Sequence, residues 1–375
     1  MPTQVTYPGV YVEEIPSGVR SIEGVSTSIC AFVGSARKGA FNKAVRVQSF
    51  TEFTRKFGGL QSGSELGHAV RQFFLNGGTD AWVVRVPRDA TLAKMKRALR
   101  SFDAVDLVNL VVLPGIADPK VVAAAAEYCK ERRAFLIADS PASAKTPADM
   151  LKLVGTPALP KTSYAAIYYP WLTIRDPLTK KLRVIPPSGT IAGMFARIDS
   201  LLGVWNPPAG KGATLNGVDG LEYNLTDAEN GVLNPRAINC LRMFVPSGPL
   251  AWGARTLEGD DLFASEWKYI PIRRLALFIE ESIDRGTQWA VFEPNDEPLW
   301  AQLRLTIGAF LHRLFAQGAF TGQTPRDSYF VKCDRDTTMQ NDIDHGNINV
   351  LVGFAPLKPA EFVIIKIQLK GHARE

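Results

Sequence analysis

A lysine in a glycine-rich loop, clustered carboxylates, histidines and cysteines are the side chains from which this chain could build a reaction centre. Each falls short in its spacing. Ala-Gly-Lys-Gly at 209–212 suggests a phosphate loop, in which backbone N–H groups cradle the anion and the lysine neutralises it. Such a loop needs a glycine five positions before the glycine of its Gly-Lys pair and Ser or Thr after the lysine. Trp205 and Gly212 stand there instead, and Pro207 and Pro208 oppose the tight wrap, so a flexible loop is expected. Asp334, Asp336, Asp342, Asp344 and His345 crowd hard oxygen ligands together, as Ca²⁺ or Mg²⁺ sites do. Thr338 and Met339 occupy the centre of the stretch, so a hydrogen-bonded turn between strands fits better. His68, His312, His345 and His372 are scattered, and there is no Gly-x-Ser-x-Gly elbow. Cys30, Cys129, Cys240 and Cys333 are isolated, with no Cys-x-x-Cys pair, which favours buried free thiols in a reducing compartment. No catalytic, cofactor or metal site is expected, and no enzyme.

The elements that would position these residues read as α/β with mixed α+β character. Strands are expected at 29–34, 45–50, 81–86, 105–113, 134–139 and 165–169, and helices at 52–57, 65–75, 119–132 and 191–201. Ser49 or Thr51 would cap the first helix and Gly58 would end it. The last third reads as a strand at 241–245, an exposed loop at 246–259, a helix at 269–286, a short strand at 289–292 and a long helix at 297–317. Strands follow at 350–354 and 361–369.

At 375 residues, with 46% hydrophobic and 21% charged side chains, the chain can fill more than one core and is not a disordered polymer. Its start lacks a basic stretch followed by an apolar run, and its apolar runs are strand length, so neither a secretion signal nor membrane insertion is expected. A net charge of +6 is mild for a nucleic-acid binder. Arg37, Lys38, Lys43, Arg46, Arg55 and Lys56, and the basic run 85–100, are expected as solvated faces or protein contacts, with no nucleic acid.

The two ends stand apart from these cores. Tyr7, Val10, Tyr11, Val12 and Ile15 form a sticky extended segment, while Phe362, Val363, Ile364, Ile365 and Ile367 alternate along a terminal strand. Neither can satisfy its backbone alone, so each is expected to add to a neighbouring molecule. Glu13, Glu14 and Glu23 outweigh Arg20 at one end; Lys358, Lys366, Lys370 and Arg374 outweigh Glu361 and Glu375 at the other. Opposed ends favour head-to-tail contacts that repeat into rings or filaments. Gly18 and Gly24 punctuate the linker at 17–26 and are expected to let it change direction.

These end segments carry a resemblance. YPGVYVEEIPSGVRSIEGVSTSICAFVG at 7–34 resembles the N-terminal signature of contractile tail sheath proteins. WGARTL at 252–257, YIPIRRLALFIEESI at 269–283, FEPNDEPLW at 292–300, YFVKCDRDTTMQNDIDHG at 329–346 and VGFAPLKPAEFVIIKI at 352–367 are similar to that family's C-terminal domain. VNLVVLPG at 108–115 and WNPPAGKG at 205–212 resemble its middle. The resemblance implies a two-domain structural subunit of a phage tail, phage-tail-like bacteriocin or extracellular contractile injection system. Such a subunit would be made in the bacterial cytoplasm. It would form stacked hexameric rings around an inner tube protein and contract to drive the tube through an envelope. Baseplate and tail terminator or cap proteins would be further partners; a tube or baseplate component is the alternative. The implied domains are an N-terminal arm at 1–25, an outer α/β domain at 26–245, a tube-facing domain at 246–355 and a C-terminal strand arm at 356–375. Arg304, His312 and Arg313 on the helix 297–317 are the implied tube contacts, with Arg273 and Arg274 as the alternative.

Overall fold

The computed structural model describes residues 21–157 and 159–361. They fall into two compact units: a larger one of 24–282, 319–321 and 355–361, and a smaller one of 21–23, 283–318 and 322–354.

The larger unit is built on an eight-stranded sheet. Its strands are β1 (Cys30–Gly34), β2 (Ala44–Val47), β3 (Ala81–Arg85), β4 (Leu110–Val112), β5 (Phe135–Asp139) and β6 (Ala165–Tyr169). β7 (Leu172–Arg175), β8 (Leu182–Ile185) and β9 (Gly220–Leu221) form a separate three-stranded sheet, and β10 (Ile238–Phe244) and β11 (Gly248–Ala251) complete the first. The order is β11-β10-β6-β5-β4-β1-β3-β2, parallel except for the two outermost strands. A parallel sheet needs cover on both faces, and the side chains alternate accordingly. Phe32, Leu110, Phe135 and Tyr168 enter one hydrophobic core, while Val33, Val111, Leu136 and Ile167 enter the other.

Helices α1 (Phe50–Phe57), α2 (Leu66–Leu75), α3 (Leu92–Arg100), α4 (Pro119–Glu131), α5 (Pro147–Leu151), α6 (Ser188–Leu202) and α7 (Asp227–Leu233) supply that cover. α1, α2 and α6 pack on the first core, with Phe53, Phe73 and Phe195 buried; α3 and α4 pack on the second through Met95, Leu99, Ala125 and Cys129. Ser49 caps α1 by accepting from the Glu52 N–H, and Gly58 ends it at φ +90°. Asp118 caps α4, whose first residue is a proline. α2 and α6 meet where glycines remove side chains: a Cβ on Gly189 would lie 2.5 Å from the Ala69 Cα.

α8 (Ile270–Gly286) carries the chain out of the larger unit. The smaller unit holds α9 (Glu297–Ala316), α10 (Pro325–Ser328), α11 (Gln340–Asp344), and an antiparallel pair, β12 (Tyr329–Lys332) and β13 (Leu351–Phe354). Its core is Leu299, Trp300, Leu303 and Cys333, with Ile343, Ile348 and Val350 packed against it.

Three expectations need correction. Only Leu110–Val112 of 105–113 joins the ladder; Phe102 and Val105 continue α3 as hydrogen-bonded turns, and their apolar side chains are buried without forming a strand. The stretch 246–259 is not an exposed loop, because Gly248, at φ +77°, turns β10 back into β11, and Ala254, Arg255 and Thr256 are buried. At 289–292 there is no strand: Gln288–Ala290 is a 3₁₀ turn, and Phe292 adopts φ +71°.

Candidate assembly interface

The smaller unit presents an open apolar groove. The groove, of about 580 Å³, is lined by Ile283, Val291, Phe292, Leu303, Ile307 and Val350 among others. Phe292 on its rim is fully exposed, and Leu351 and Phe330 of the two strands are more than half exposed. β12 and β13 pair from Tyr329 with Phe354 to Lys332 with Leu351. Among the described residues this ladder has two four-residue strands, which is marginal alone and gains most from further strands laid along its edges.

α9 lies beside this pair and carries the three implied tube contacts. Asp296 caps it through the Leu299 N–H, and Trp300 donates to Asn295 at 2.8 Å. Arg304 pairs with Glu297 at 2.6 Å and donates to the Cys333 carbonyl, tying α9 to the end of β12. His312 meets the Tyr329 hydroxyl at 3.1 Å, and Arg313 donates to the Ile22 carbonyl. Nine residues place Arg304 and Arg313 about 180° apart around the helix, so the fold does not bring them onto one face. His312 and Arg313 are exposed neighbours near its C-terminal end. The alternative pair is buried in the larger unit. Arg273 stacks on Trp267 and Tyr164 and pairs with Glu280; Arg274 pairs with Asp199 at 2.5 Å.

Other residues that drew attention in the sequence have structural uses. In the acidic stretch, Asp334 accepts from the Asp336 and Thr337 N–H groups, Asp342 from the Met339 N–H, and Asp344 from Gln340. Asp336 pairs with Lys332 at 2.8 Å, so the carboxylates build the turn that separates β12 from β13. Lys211 is exposed on a loop whose Gly210 N–H bonds the Ala251 carbonyl. The four cysteines are free and buried, and burial pushes the Cys240 thiol up to about 12. His68 is buried on α2 and pushed down to about 4, by desolvation first and by Arg183 second. Gly24 is not in the left-handed region, and a Cβ there would stand 2.7 Å from the tip of the Phe278 ring.

Tyr7, Val10, Tyr11, Val12, Ile15, Gly18, Phe362, Val363, Ile364, Ile365 and Ile367 lie outside the described residues. Sequence reasoning did not single out Phe292 as an exposed ring, although an aromatic beside Pro294 and Asn295 in a polar turn was a usable signal.

Comparison with known proteins settles the family. The chain matches the family model described as phage tail sheath protein central domain over residues 89–257, and the phage tail sheath C-terminal domain over 264–370. A model described as DUF2586, N-terminal domain, matches residues 9–150. A chain in the structure of an extracellular contractile injection system, the PVC sheath complex in contracted state, is 31% identical with a TM-score of 0.82, covering 99% of this chain and 100% of that one. The chain belongs to the contractile tail sheath family. This sheath protein is a structural protein, not an enzyme. It is also 30% identical, at TM-score 0.78, to a chain of the anti-feeding prophage helical sheath in contracted state, over 97% of its own length and 99% of the other's. Among curated relatives, the tail sheath protein of Vibrio phage KVP40 is 26% identical over 54% of this chain and 29% of its own length, and that of Burkholderia phage BcepMu 28% over 41% and 33%. The sheath protein thus spans about three tenths of the length of the curated relatives it matches.

Proposed function

We propose that this sheath protein polymerises as stacked hexameric rings around an inner tube and contracts to drive that tube through a target envelope. The observation that carries the reading is the end-to-end correspondence with a sheath chain in a contracted complex. In this reading the terminal segments, with Tyr7, Val10, Tyr11, Val12 and Ile15 at one end and Phe362–Ile365 and Ile367 at the other, add as strands beside β12 and β13 of neighbouring copies. The marginal two-stranded ladder and its exposed apolar rim support such addition. Contraction needs no bound nucleotide if its energy is stored during assembly. Each additional 100 Å² of apolar surface buried between subunits supplies about 2.5 kcal/mol before entropic losses.

The region 26–245 would face outward and 246–355 the tube, with the exposed His312 and Arg313 as tube contacts, while Arg304, on the opposite face of α9, ties the helix to Glu297 and the Cys333 carbonyl. The likeness to a chain of the anti-feeding prophage baseplate, at 29% identity and TM-score 0.78, supports a baseplate as a partner; a terminator or cap would close the other end. The particle would be a phage tail or an extracellular phage-tail-like device. Electron microscopy of the purified chain, alone and with its tube protein, tests this. Striated tubes with six subunits per ring are expected, and a concentration-independent monomer in both preparations would contradict it.

A further inference from the structure

Beside the last described residue of the larger unit, a buried arginine wraps a carboxylate. Arg255 has no exposed surface; its Nε and Nη2 donate to the two carboxylate oxygens of Glu361 at 2.7 and 2.5 Å. Its Nη1 donates to Asp261 and to the Gly259 carbonyl, and the Tyr269 hydroxyl reaches Glu361 at 3.3 Å. Asn239 on β10 holds the Arg255 backbone from both sides, accepting from its N–H and donating to its carbonyl, each at 2.7 Å.

We propose that Arg255–Glu361 is a positioning clamp that fixes where the C-terminal segment starts. The consequence for assembly rests on the proposed strand exchange. A buried ion pair is a poor source of stability, because desolvation consumes most of the attraction; what a two-pronged arginine–carboxylate pair supplies is fixed geometry. Glu361 is therefore not a free charge of a terminal arm. The last backbone tie before it is Thr321 to Ala355, beside the bridge of Phe320 to Pro356. Without the clamp, the free segment would start five residues earlier, adding up to ~17 Å of slack. A donated strand then samples a larger volume and its effective concentration at a neighbour's sheet falls.

The test uses the full chain. A nitroxide on Ala360→Cys reports the exit directly, since the four native cysteines are buried and Ala360 is exposed. In the parent the label should be immobile. Arg255→Met should melt at lower temperature, because it strands the Glu361 charge, and Arg255→Met with Glu361→Met should recover most of that loss. A pair that served stability alone would then polymerise normally. A clamp leaves the label mobile and cuts polymer yield about tenfold in the recovered double variant. Glu361→Gln, which keeps the volume, gives the same label comparison should the double variant not fold. An immobile label in the charge-free variants, or polymer at the parent's yield, overturns the clamp. A parent chain that never polymerises overturns the assembly reading instead, and the label still decides the clamp.

Discussion

Phe292 combines two features that the isolated chain would be better without: a fully exposed aromatic ring and a left-handed backbone at φ +71°. Left-handed backbone costs a non-glycine residue about 1 kcal/mol or more, so glycine would suit this backbone better. Phe292→Gly should leave the melting temperature unchanged or raise it by the equivalent of about 1 kcal/mol, while sedimentation shows less polymer. A lower melting temperature would show that the ring packs internally. Asp139 gives a pH signature. It sits at the end of β5, accepts from the N–H and hydroxyl of Ser188 at the start of α6 and from the Gly115 N–H, and burial pushes it up to about 6 against those bonds. The folded chain thus holds this proton more tightly than an unfolded carboxyl, which titrates near 3.8. Acidification from pH 6 to 4 therefore favours the fold at this site, with a ceiling on the order of 3 kcal/mol. His68, displaced from 6.5 to about 4, acts in the opposite sense over the same range. Asp139→Asn should consequently lose more stability than the parent between pH 6 and pH 4 in thermal melts; parallel profiles would refute the assignment. Neither residue was legible as special in the sequence, because burial and partners from distant segments create both shifts.

At the scale of elements, the sequence was most readable where local chemistry and burial agree. Ser49, Glu52 and Gly58 bracket α1 by capping alone, and the apolar run at 165–169 is the whole of β6. It was least readable where apolar residues serve burial without a ladder, as at Phe102 and Val105, or where a helix carries a basic face over a thin apolar stripe. α3 is of that second kind: Lys94, Lys96 and Arg97 mask Met95 and Leu99, and the stretch read as a charge run. Arg255 was hidden for a third reason, since nothing local announces that an arginine in a Gly-Ala-Arg-Thr segment will meet Glu361 more than a hundred residues later. The contact of α2 with α6 gives a direct prediction. Gly189→Val would drive side-chain atoms into the backbone at Ala69, and the gain in helix propensity of at most ~1 kcal/mol cannot offset the overpacking. The expected loss is about 1–3 kcal/mol by denaturant titration, and an unchanged midpoint would show that the helices separate freely.

For the whole molecule, the proposed strand exchange makes the end segments decide between a folded monomer and a polymer. Chains that begin at Ser21, or that stop after Glu361 and so keep the clamp, should melt with the parent cooperativity yet form no tubes. Stopping after Pro359 should in addition lower the melting temperature, because Arg255 is then left buried without Glu361. Normal tubes from any of the three would remove the need for strand exchange. The most direct test of the central claim is a helical cryo-EM reconstruction of tubes grown from the full chain, with the strands of the β12–β13 sheet traced to their parent copies. The account expects that sheet to gain strands from the residues before 21 and after 361 of other copies, in six-membered rings. Tubes in which it stays two-stranded, or is completed only by its own chain, would contradict the account.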